Sequence, residues 1–341
     1  MGLDLKPLVT STPVRLPDLS GQVIAIDAYN TIYQFLSIIR GPTGEPLANS
    51  KGDITSHLSG LFYRNINLLM VNIKPVYIFD GKANDLKMKE IERRSKLKKE
   101  ATEKYQLAIE EGRIEDARKY STRTAVLTNK MVEESKTLLS YLGIPSIDAP
   151  SDGEAAAAHL TKSNLAFAAA SQDYDSILFG AKRLLRNLAI SGKRKVPNRN
   201  AYVEIEPEMI EHEKVLEQTG LTQSQLVDVG ILIGTDFNPD GFPGIGPKTA
   251  LKLIKENGKL ENIVKIQDML REVPYREIRN IFLEPDLPSV SKIEMAEIKR
   301  EKLLDFLCVE KSFSTDRVST TIDKLQKSMA NRSQTLEQWF S

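Results

Sequence analysis

The sequence predicts an α/β protein with a mainly parallel central sheet, flanked by helices on both faces. Short apolar runs with the length of buried strands lie at 23–26, 76–79 and 165–170, and stretches with helical periodicity separate them. Alternation of strands and helices is typical of parallel sheets whose two faces are covered by helices. Each run leads into aspartate, which points to a site at one edge of the sheet.

Seven carboxylates stand at the ends or starts of predicted elements. They are Asp27, Asp80, Asp152, Glu154, Asp173, Asp175 and Asp236. Because ligands of parallel sheets bind outside the carboxyl ends of the strands, we expect these side chains to share one crowded site. Carboxylates held that close repel one another unless protons or cations compensate them. Oxygen-only clusters suit hard cations, so the pattern predicts a site for ions such as Mg²⁺.

The composition is that of an ordinary globular protein. The 341 residues, 41% of them hydrophobic and 27% charged, are enough for one large or two modest domains. No apolar run approaches the roughly 18 residues of a membrane span and no secretory signal begins the chain, so we expect an intracellular protein without a membrane partner. Cys308 is the single cysteine, which excludes an internal disulfide. The net charge of +1 means that nucleic-acid binding would depend on local patches.

The first 81 residues predict two strands separated by two helices. A strand from Val23 to Asp27 precedes a helix at 29–40, and a loop rich in Gly, Pro and Asn occupies 41–52. A second helix at 55–69 carries apolar residues on one stripe. The second strand then ends at Asp80.

A basic helical stretch follows the second strand. Residues 83–111 contain neither Gly nor Pro, and eight basic side chains against three acidic ones between 82 and 99 give a local charge of +5. A second helical run is predicted at about 115–142. Composition alone is compatible with a solvated helical hairpin. The alternative is a basic arch that is inserted between two strands and faces phosphates.

The middle of the chain offers two capping-box patterns. Ser151 and Glu154 fit S-x-x-E, so Glu154 has an alternative role in closing a helix end. Thr222 and Gln225 fit the same pattern and favour a helix at 222–232 over a strand at 229–235. A further strand is predicted at 202–206.

A glycine-rich turn opens a predicted helix at 249–256. Gly244 and Gly246 allow a partner to approach the backbone, and the helix start offers free N–H groups to a phosphate beside Lys248. A tight turn without a ligand is the alternative. The whole segment Phe242–Leu251 is similar to the helix–hairpin–helix element that binds nucleic-acid backbones.

The C-terminal part is predicted to be mostly helical at 285–325 and polar and flexible at 326–332. The only tryptophan, Trp339, lies two residues from the end of the chain, where burial by the same chain is hard to arrange.

Several ordered blocks resemble a flap endonuclease of the XPG nuclease family, of the archaeal type. The likeness extends from Gly2 to Phe340 and rests on residues 25–28, 77–82, 149–155, 171–175, 234–236 and 244–248. It implies a structure-specific nuclease that cuts 5′ flaps in DNA replication and repair, with 5′–3′ exonuclease activity. It also implies two Mg²⁺ ions held by the seven carboxylates, which would activate water and stabilise the leaving oxygen.

The resemblance assigns further roles residue by residue. Lys87 and Arg94 would lie near the scissile phosphate, and their spacing of seven places both on one helix face. The positions implied in DNA binding are Gly2, Tyr33, Thr55, Gly244, Gly246, Lys248, Lys311 and Arg317. Tyr33 would stack on a base, and Thr55, Lys311 and Arg317 would grip a one-nucleotide 3′ flap. The resemblance also admits a monovalent cation at the helix–hairpin–helix.

The resemblance names branched DNA with a 5′ flap and the sliding clamp PCNA as partners of a monomer. Leu336, Trp339 and Phe340 keep the spacing of a clamp-binding peptide, which one helical turn would bring to one side. Three positions depart from the family pattern, since Asp152 replaces Glu, and Ser312 and Ser333 each replace Gln.

The implied organisation has overlapping regions. They are an N-terminal nuclease region at 1–98, an inserted basic arch at 82–135, an internal nuclease region at 116–258 that includes the helix–hairpin–helix at about 234–256, a C-terminal helical region at 259–325 and a flexible clamp-binding tail at 326–341.

Two other functions are weighed against a nuclease. A phosphatase of the haloacid-dehalogenase type has a D-x-D motif like Asp173-Tyr174-Asp175, but that class carries it on the first strand, where Asp27-Ala28-Tyr29 lacks the second Asp. A non-catalytic DNA- or clamp-binding scaffold would fit the basic arch, the glycine turn and the tail. The intact carboxylates argue against it, because acidic residues beside DNA weaken binding unless metal neutralises them.

Overall fold

A computed structural model of the chain describes residues 3–82, 84–190, 192–195 and 202–340. Of these, the side chains of 193–195, 202–204 and 333–340 are left undescribed. Gly2 therefore lies outside the described residues, as do the side chains of Leu336, Trp339 and Phe340.

A seven-stranded sheet forms the centre, in the order β1-β9-β6-β5-β2-β3-β4, and β7 and β8 form a separate hairpin. The strands within the described residues are β1 (Thr12–Pro13), β2 (Val23–Asp27), β3 (Lys74–Phe79), β4 (Ser146–Asp148), β5 (Ala168–Ala170), β6 (Arg183–Arg186), β7 (Gly192–Lys195), β8 (Tyr202–Ile205) and β9 (Glu208–Glu211). The five strands from β6 to β4 run parallel, and β9 pairs antiparallel with β6 and β1. The predicted mainly parallel sheet is confirmed.

Helices surround the sheet. Within the described residues they are α1 (Ala28–Ile38), α2 (Ser56–Met70), α3 (Met88–Glu110), α4 (Ile114–Ser121), α5 (Asn129–Tyr141), α6 (Gly153–Lys162), α7 (Asp175–Leu178), α8 (His212–Thr219), α9 (Gln223–Ile233), α10 (Pro247–Asn257), α11 (Gln267–Leu270), α12 (Tyr275–Leu283), α13 (Arg300–Leu304) and α14 (Thr315–Phe340). None of the described helices is long and apolar enough to cross a membrane.

Two apolar cores lie on opposite faces of the sheet, because successive strand residues point to opposite sides. Ala25, Val76 and Ile78 belong to one core, which α6, α9, α10 and α12 complete. Ile24, Ile26 and residues of α1, α2, α5 and α14 form the other core. The helices therefore cover both faces, as predicted.

The arch leaves the sheet after β3 and returns to it at β4. Its two helices, α3 and α4, pack against each other. The predicted single helix at 115–142 is wrong, because the chain breaks at 122–128 and starts again at α5. Thr128 caps the new helix, since its hydroxyl accepts a hydrogen bond from the Met131 N–H at 3.3 Å.

The two capping boxes have different outcomes. At α9 both halves of the Thr222/Gln225 box are present, so the helix interpretation is confirmed and the strand alternative is wrong. At α6 the cap is Asp152 and not Ser151, because an Asp152 carboxylate oxygen accepts hydrogen bonds from the N–H groups of Glu154 and Ala155. Glu154 is thereby released from the capping role.

The C-terminal region differs from the prediction in two places. Residues 285–299 are not helical, and their backbone bonds instead to the loop after α5, with the Ala296 N–H donating to the Gly143 carbonyl at 2.8 Å. Pro285 and Pro288 lack N–H groups, which disfavours a helix there. Residues 326–332, predicted to be flexible, continue α14, and Arg332 donates hydrogen bonds to the carbonyls of Leu69 and Met70 at the end of α2.

Candidate active site

A cleft of about 1080 Å³ opens at the carboxyl ends of the parallel strands. Its floor contains six of the seven predicted carboxylates, namely Asp27, Asp80, Asp152, Glu154, Asp173 and Asp236. Residues of α3 form one wall, and the end of α12 with the segment up to Asp286 forms another. Asp175 is buried behind the floor, with 5% of its surface exposed.

Local structure fixes several of these carboxylates. Asp27 ends β2 and caps α1, because its Oδ1 accepts a hydrogen bond from the Asn30 N–H at 3.0 Å. Asp80 follows β3 and accepts a hydrogen bond from the Gly153 N–H at 2.6 Å. A Cβ on Gly153 would lie 2.7 Å from Asp80 Oδ1, so the glycine is needed for this close approach. The end of β2, the loop after β3 and the start of α6 thus meet around the same floor.

Asp173 and Asp175 come from the loop between β5 and α7. Asp173 Oδ2 accepts a hydrogen bond from the Asn30 side chain at 2.9 Å. Asp175 begins α7, and its Oδ1 is buried without a hydrogen-bond partner. A buried acceptor without a partner is uncommon and needs an explanation in the chemistry of the site.

The floor carries negative charge that the protein compensates only in part. Five carboxyl groups have raised pKa values, mainly because they are buried and further because neighbouring carboxylates repel them. They are Asp27, Asp80, Glu154, Asp173 and Asp175. The pKa of Asp80 rises to about 6, although its side chain reaches the open cleft. Protons or cations must therefore neutralise this cluster.

Two basic side chains of the arch already reach the floor. Lys87 Nζ lies 2.5 Å from Asp152 Oδ2 and 5.0 Å from the centre of the Phe237 ring. Burial lowers the pKa of Lys87, but the attraction and hydrogen bond of Asp152 outweigh burial and raise it overall. Arg94 donates to Asp236 Oδ1 at 2.7 Å. The arch thus supplies positive charge directly to two of the predicted metal ligands.

The donor set fits hard divalent cations. It consists of carboxylate oxygens, one of them buried without a partner, and burial together with mutual repulsion raises the pKa of five of the carboxyl groups. In the described part of the chain, no three His, Cys, Asp or Glu side chains already surround one point as a metal site. Lys87 and Arg94 bind two of the carboxylates, so a set of ligands would form only after these contacts rearrange.

Three residues near the floor escaped the sequence analysis. Asn30 contacts Asp27 and Asp173, and Glu90, 2% exposed, accepts hydrogen bonds from Arg93 and Arg94. Arg186 of β6 donates to the Gln172 carbonyl at 3.1 Å and to the Tyr174 hydroxyl at 2.7 Å, on either side of Asp173. The one available signal was a polar residue one turn after a strand-ending aspartate, which singles out Asn30. Glu90 and Arg186 carry no comparable signal.

Tyr33 lies at the mouth of the cleft, on α1. Its side chain is 37% exposed, and Lys98 Nζ of the arch lies 5.5 Å from the centre of its ring. One ring face is therefore bordered by positive charge, an arrangement suited to a nucleotide base attached to a phosphate.

The glycine turn lies between α9 and α10. Gly244 has φ +75°, in the region that favours glycine, whereas Gly246 has an ordinary φ of −88°. A Cβ at Gly246 would meet nothing within 4 Å, so the fold itself does not require glycine there. Gly246 starts α10 without a side-chain cap, and Lys248 is exposed beside it.

A second polar cluster lies on the far side of α2. Glu134 accepts a hydrogen bond from Lys311 Nζ at 2.6 Å and lies 3.1 Å from the ring of buried His57. Thr55, two residues before His57, is 6% exposed. Ser312, whose φ is +62°, lies 3.3 Å from Ser50, so the loop before Thr55 and the residues around Lys311 are neighbours. Arg317 is exposed in the first turn of α14.

Two family models match the chain. Residues 4–101 match the XPG N-terminal domain, and residues 143–236 match the XPG I-region. The unmatched stretch between them contains the end of α3 and all of α4 and α5. All seven carboxylates lie within the two matched regions.

The chain is similar along its whole length to known proteins. Flap endonuclease 1 of Nitrosopumilus maritimus is 56% identical over 340 residues, which cover 100% of both chains. Flap endonuclease 1 of Saccharolobus solfataricus is 49% identical over 349 residues, with 99% of this chain and 100% of the relative covered. The solved structure of flap endonuclease-1 from Methanococcus jannaschii has a TM-score of 0.75 at 38% identity and covers 97% of this chain and 100% of its own.

Proposed function

The chain belongs to the flap endonuclease family and is a structure-specific nuclease, and from its cleft we propose that it cuts 5′ flaps with the help of two Mg²⁺ ions. The observation that carries this proposal is the cluster of seven carboxylates beside two arch cations. Five of the carboxyl groups have pKa values raised by burial and mutual repulsion, so the cluster attracts further positive charge. Bound divalent ions would supply an activated water and neutralise charge on the phosphodiester.

Lys87 and Arg94 are proposed as catalytic residues. In the absence of DNA they neutralise Asp152 and Asp236. When substrate and cations occupy the cleft, both side chains are free to exchange these carboxylates for oxygens of the scissile phosphate. Their charge then stabilises the negative charge that grows in the transition state.

The remaining contacts hold the ligands in place. Asn30 orients Asp27 and Asp173, and Arg186 holds the Gln172 carbonyl and the Tyr174 hydroxyl on either side of Asp173. The side chain of Asp152 is one methylene shorter than that of glutamate, so we propose that Asp152 binds the metal through a water molecule rather than directly. Loss of such supporting hydrogen bonds commonly lowers metal affinity or activity by about 10–100-fold.

Branched DNA is the proposed substrate, in keeping with a role in replication and repair. Tyr33 would stack on a base near the cut, and the glycine turn at Gly246 would bind a duplex phosphate with Lys248, with room for a monovalent cation. Thr55, Lys311 and Arg317 would grip a one-nucleotide 3′ flap. The Lys311 ammonium group has three N–H donors and donates one hydrogen bond to Glu134, which leaves two N–H groups for a nucleotide.

Further contacts are proposed for the ends of the chain. Gly2 would lie near the cut after removal of Met1. The sliding clamp PCNA would bind Leu336, Trp339 and Phe340. Because Ser333 stands where the family has Gln, the complex would have one polar contact fewer. Since α14 docks on α2 through Arg332, the clamp-binding residues follow directly after an anchored turn.

The two other functions are not favoured. The relatives matched over the whole chain are flap endonucleases and not phosphatases. A scaffold without catalysis would keep seven carboxylates beside DNA with no benefit to binding.

A cleavage assay tests the proposal. The substrates are a 5′ flap, a nicked duplex, a blunt duplex and a 3′ flap, each with and without Mg²⁺. We expect Mg²⁺-dependent cutting with the 5′ flap preferred, and we expect loss of cutting but retention of DNA binding in Asp173→Ala and Asp236→Ala. Cutting without any divalent ion, or near wild-type rates in either variant, would disprove the metal-site assignment.

A further inference from the structure

One helix face of the arch carries an unexpected residue. One stripe along α3 and the residue before it lines the cleft. Its members are spaced by four, three and four, and they are Lys87, Ile91, Arg94 and Lys98. Ile91 lies between the cations, and 44% of its surface is exposed. With a rise of about 1.5 Å per residue, Lys87 and Arg94 are separated by about 10 Å along the helix axis, with Ile91 between them.

Of the five large apolar side chains that α3 exposes, Ile91 is the one that lines the cleft. α3 buries only Glu90, Ala101 and Ala108. Leu97, 51% exposed on the same helix, does not line the cleft. Ile38 and Ile281 line the cleft as well.

We propose that Ile91 packs against an unpaired nucleobase of the DNA strand whose phosphates contact Lys87, Arg94 and Lys98. The inference rests on the proposed nuclease function and adds a contact to the base itself. Positive charges at both ends of the stripe complement a phosphate backbone, and an apolar side chain between them complements the face of a base. The contact is independent of sequence, because every base has such a face.

The same geometry selects single-stranded DNA. In a duplex the base faces are stacked on one another, and the outer surface offers phosphates and polar groove edges. Ile91 therefore gains nothing from a duplex, whereas an unstacked base removes its side chain from water. The stripe distinguishes an unpaired strand from a paired one beside the carboxylates.

Truncation of Ile91 on two kinds of substrate tests the proposal. Ile91→Ala keeps a good helix former and removes the contact, Ile91→Leu keeps an apolar side chain, and Leu97→Ala is the matched control outside the cleft. Each protein is given Mg²⁺ and a 5′ flap with normal bases, or flaps that carry one abasic residue at successive positions around the cut. Single-turnover rates are measured, and Ca²⁺-supported affinity is measured in parallel.

On the normal flap we expect Ile91→Ala to lower the rate or the affinity about fivefold. The factor corresponds to the free energy gained when about half of an isoleucine side chain is buried against the base. Ile91→Leu and Leu97→Ala should stay within twofold of the wild type. At one abasic position the wild type should fall by the same factor and Ile91→Ala should lose nothing further. Such non-additivity is not expected from a change in arch stability alone.

Three results would overturn the inference. They are an unchanged Ile91→Ala, an equal loss in Leu97→Ala, and an abasic effect that adds fully to the Ile91→Ala effect at every position. The proposed function fails separately, since it predicts that the wild type cuts the normal flap with Mg²⁺ whatever Ile91 does.

Discussion

Asp175→Asn should stabilise the metal-free protein while it destroys the metal site. Asp175 is 5% exposed, its Oδ1 has no hydrogen-bond partner, and burial together with Asp236 and Asp173 raises its pKa well above 3.8. Lys87 compensates the charge of Asp175 only in part, so removing that charge should favour the folded state. Glu134→Gln is the matched control, because Glu134 is also largely buried but is well paired.

The structure predicts opposite signs for the two substitutions. An unpaired buried polar group costs about 1–3 kcal/mol, and more when it is charged. Asparagine keeps an acceptor at this position but removes the charge, so Asp175→Asn should recover about 1–2 kcal/mol. Glu134→Gln removes the charge from the acceptor of the hydrogen bonds to Lys311 and His57. A hydrogen bond to a charged group is worth about 1.5–3 kcal/mol, so this substitution should lower the free energy of unfolding by about that amount. An unfolding entropy of about 2.1 cal/mol/K per residue gives the whole chain about 0.7 kcal/mol/K, so Tm moves by about 1.4 °C for each kcal/mol.

The dependence on pH separates the two cases further. The folded pKa of Asp175 is raised, so ionisation of the wild type destabilises the fold as pH rises above 3.8. The advantage of Asp175→Asn therefore grows with pH and vanishes in acid. Burial tends to raise the pKa of Glu134, but the hydrogen bonds from His57 and Lys311 outweigh the effect of burial, so the pKa of Glu134 is lowered below 4.5. The loss in Glu134→Gln therefore persists at neutral pH and fades only as pH falls through that lowered value.

Scanning calorimetry of protein freed of metal with a chelator, between pH 5 and 8, measures both effects. We expect Tm to rise by about 1.5–3 °C for Asp175→Asn at pH 8 and to fall by about 2–4 °C for Glu134→Gln. Added Mg²⁺ should raise Tm of the wild type more than that of Asp175→Asn, because a bound ligand stabilises only a protein that holds it. A fall in Tm for metal-free Asp175→Asn at pH 8 would refute the view that the protein compensates the charge of Asp175 too weakly to offset its burial.

Four further outcomes are expected. Metal binding should release protons and weaken below the Asp80 pKa of about 6, which calorimetry in buffers of different ionisation enthalpy detects; affinity independent of pH from 5 to 8 would contradict this. Lys87→Ala and Arg94→Ala should lower the single-turnover rate about 10²–10³-fold with little change in Ca²⁺-supported flap affinity, and a loss confined to affinity would make both residues simple phosphate contacts. Gly246→Ala should fold normally, since its Cβ enters open space, but bind duplex DNA more weakly in filter binding; equal affinity would exclude a close phosphate there. Deletion of 335–341 should reduce the ratio of clamp-stimulated to unstimulated cutting to about one, whereas equal clamp binding by full-length and truncated protein would discard the tail as the clamp site.

The sequence by itself determined the framework of the site. Apolar runs of strand length ending in aspartate placed Asp27 and Asp80 at the carboxyl edge of a parallel sheet, because strand length and face alternation are local properties. The same holds for α9, whose capping box at Thr222 contains all its partners within four residues. The basic arch was visible for the same reason, as a stretch of charge without helix breakers.

Only the tertiary structure decided which charges meet. Lys87 and Asp152 are 65 positions apart, and Arg94 and Asp236 are 142 apart, so no local pattern could pair them. The same limit explains the missed Arg186 and the non-helical segment at 285–299, whose backbone partners lie on the loop after α5. Helix and strand signals come from neighbours in the chain, whereas the charge balance of the cleft comes from how the arch packs over the sheet, and that packing is a property of the whole fold.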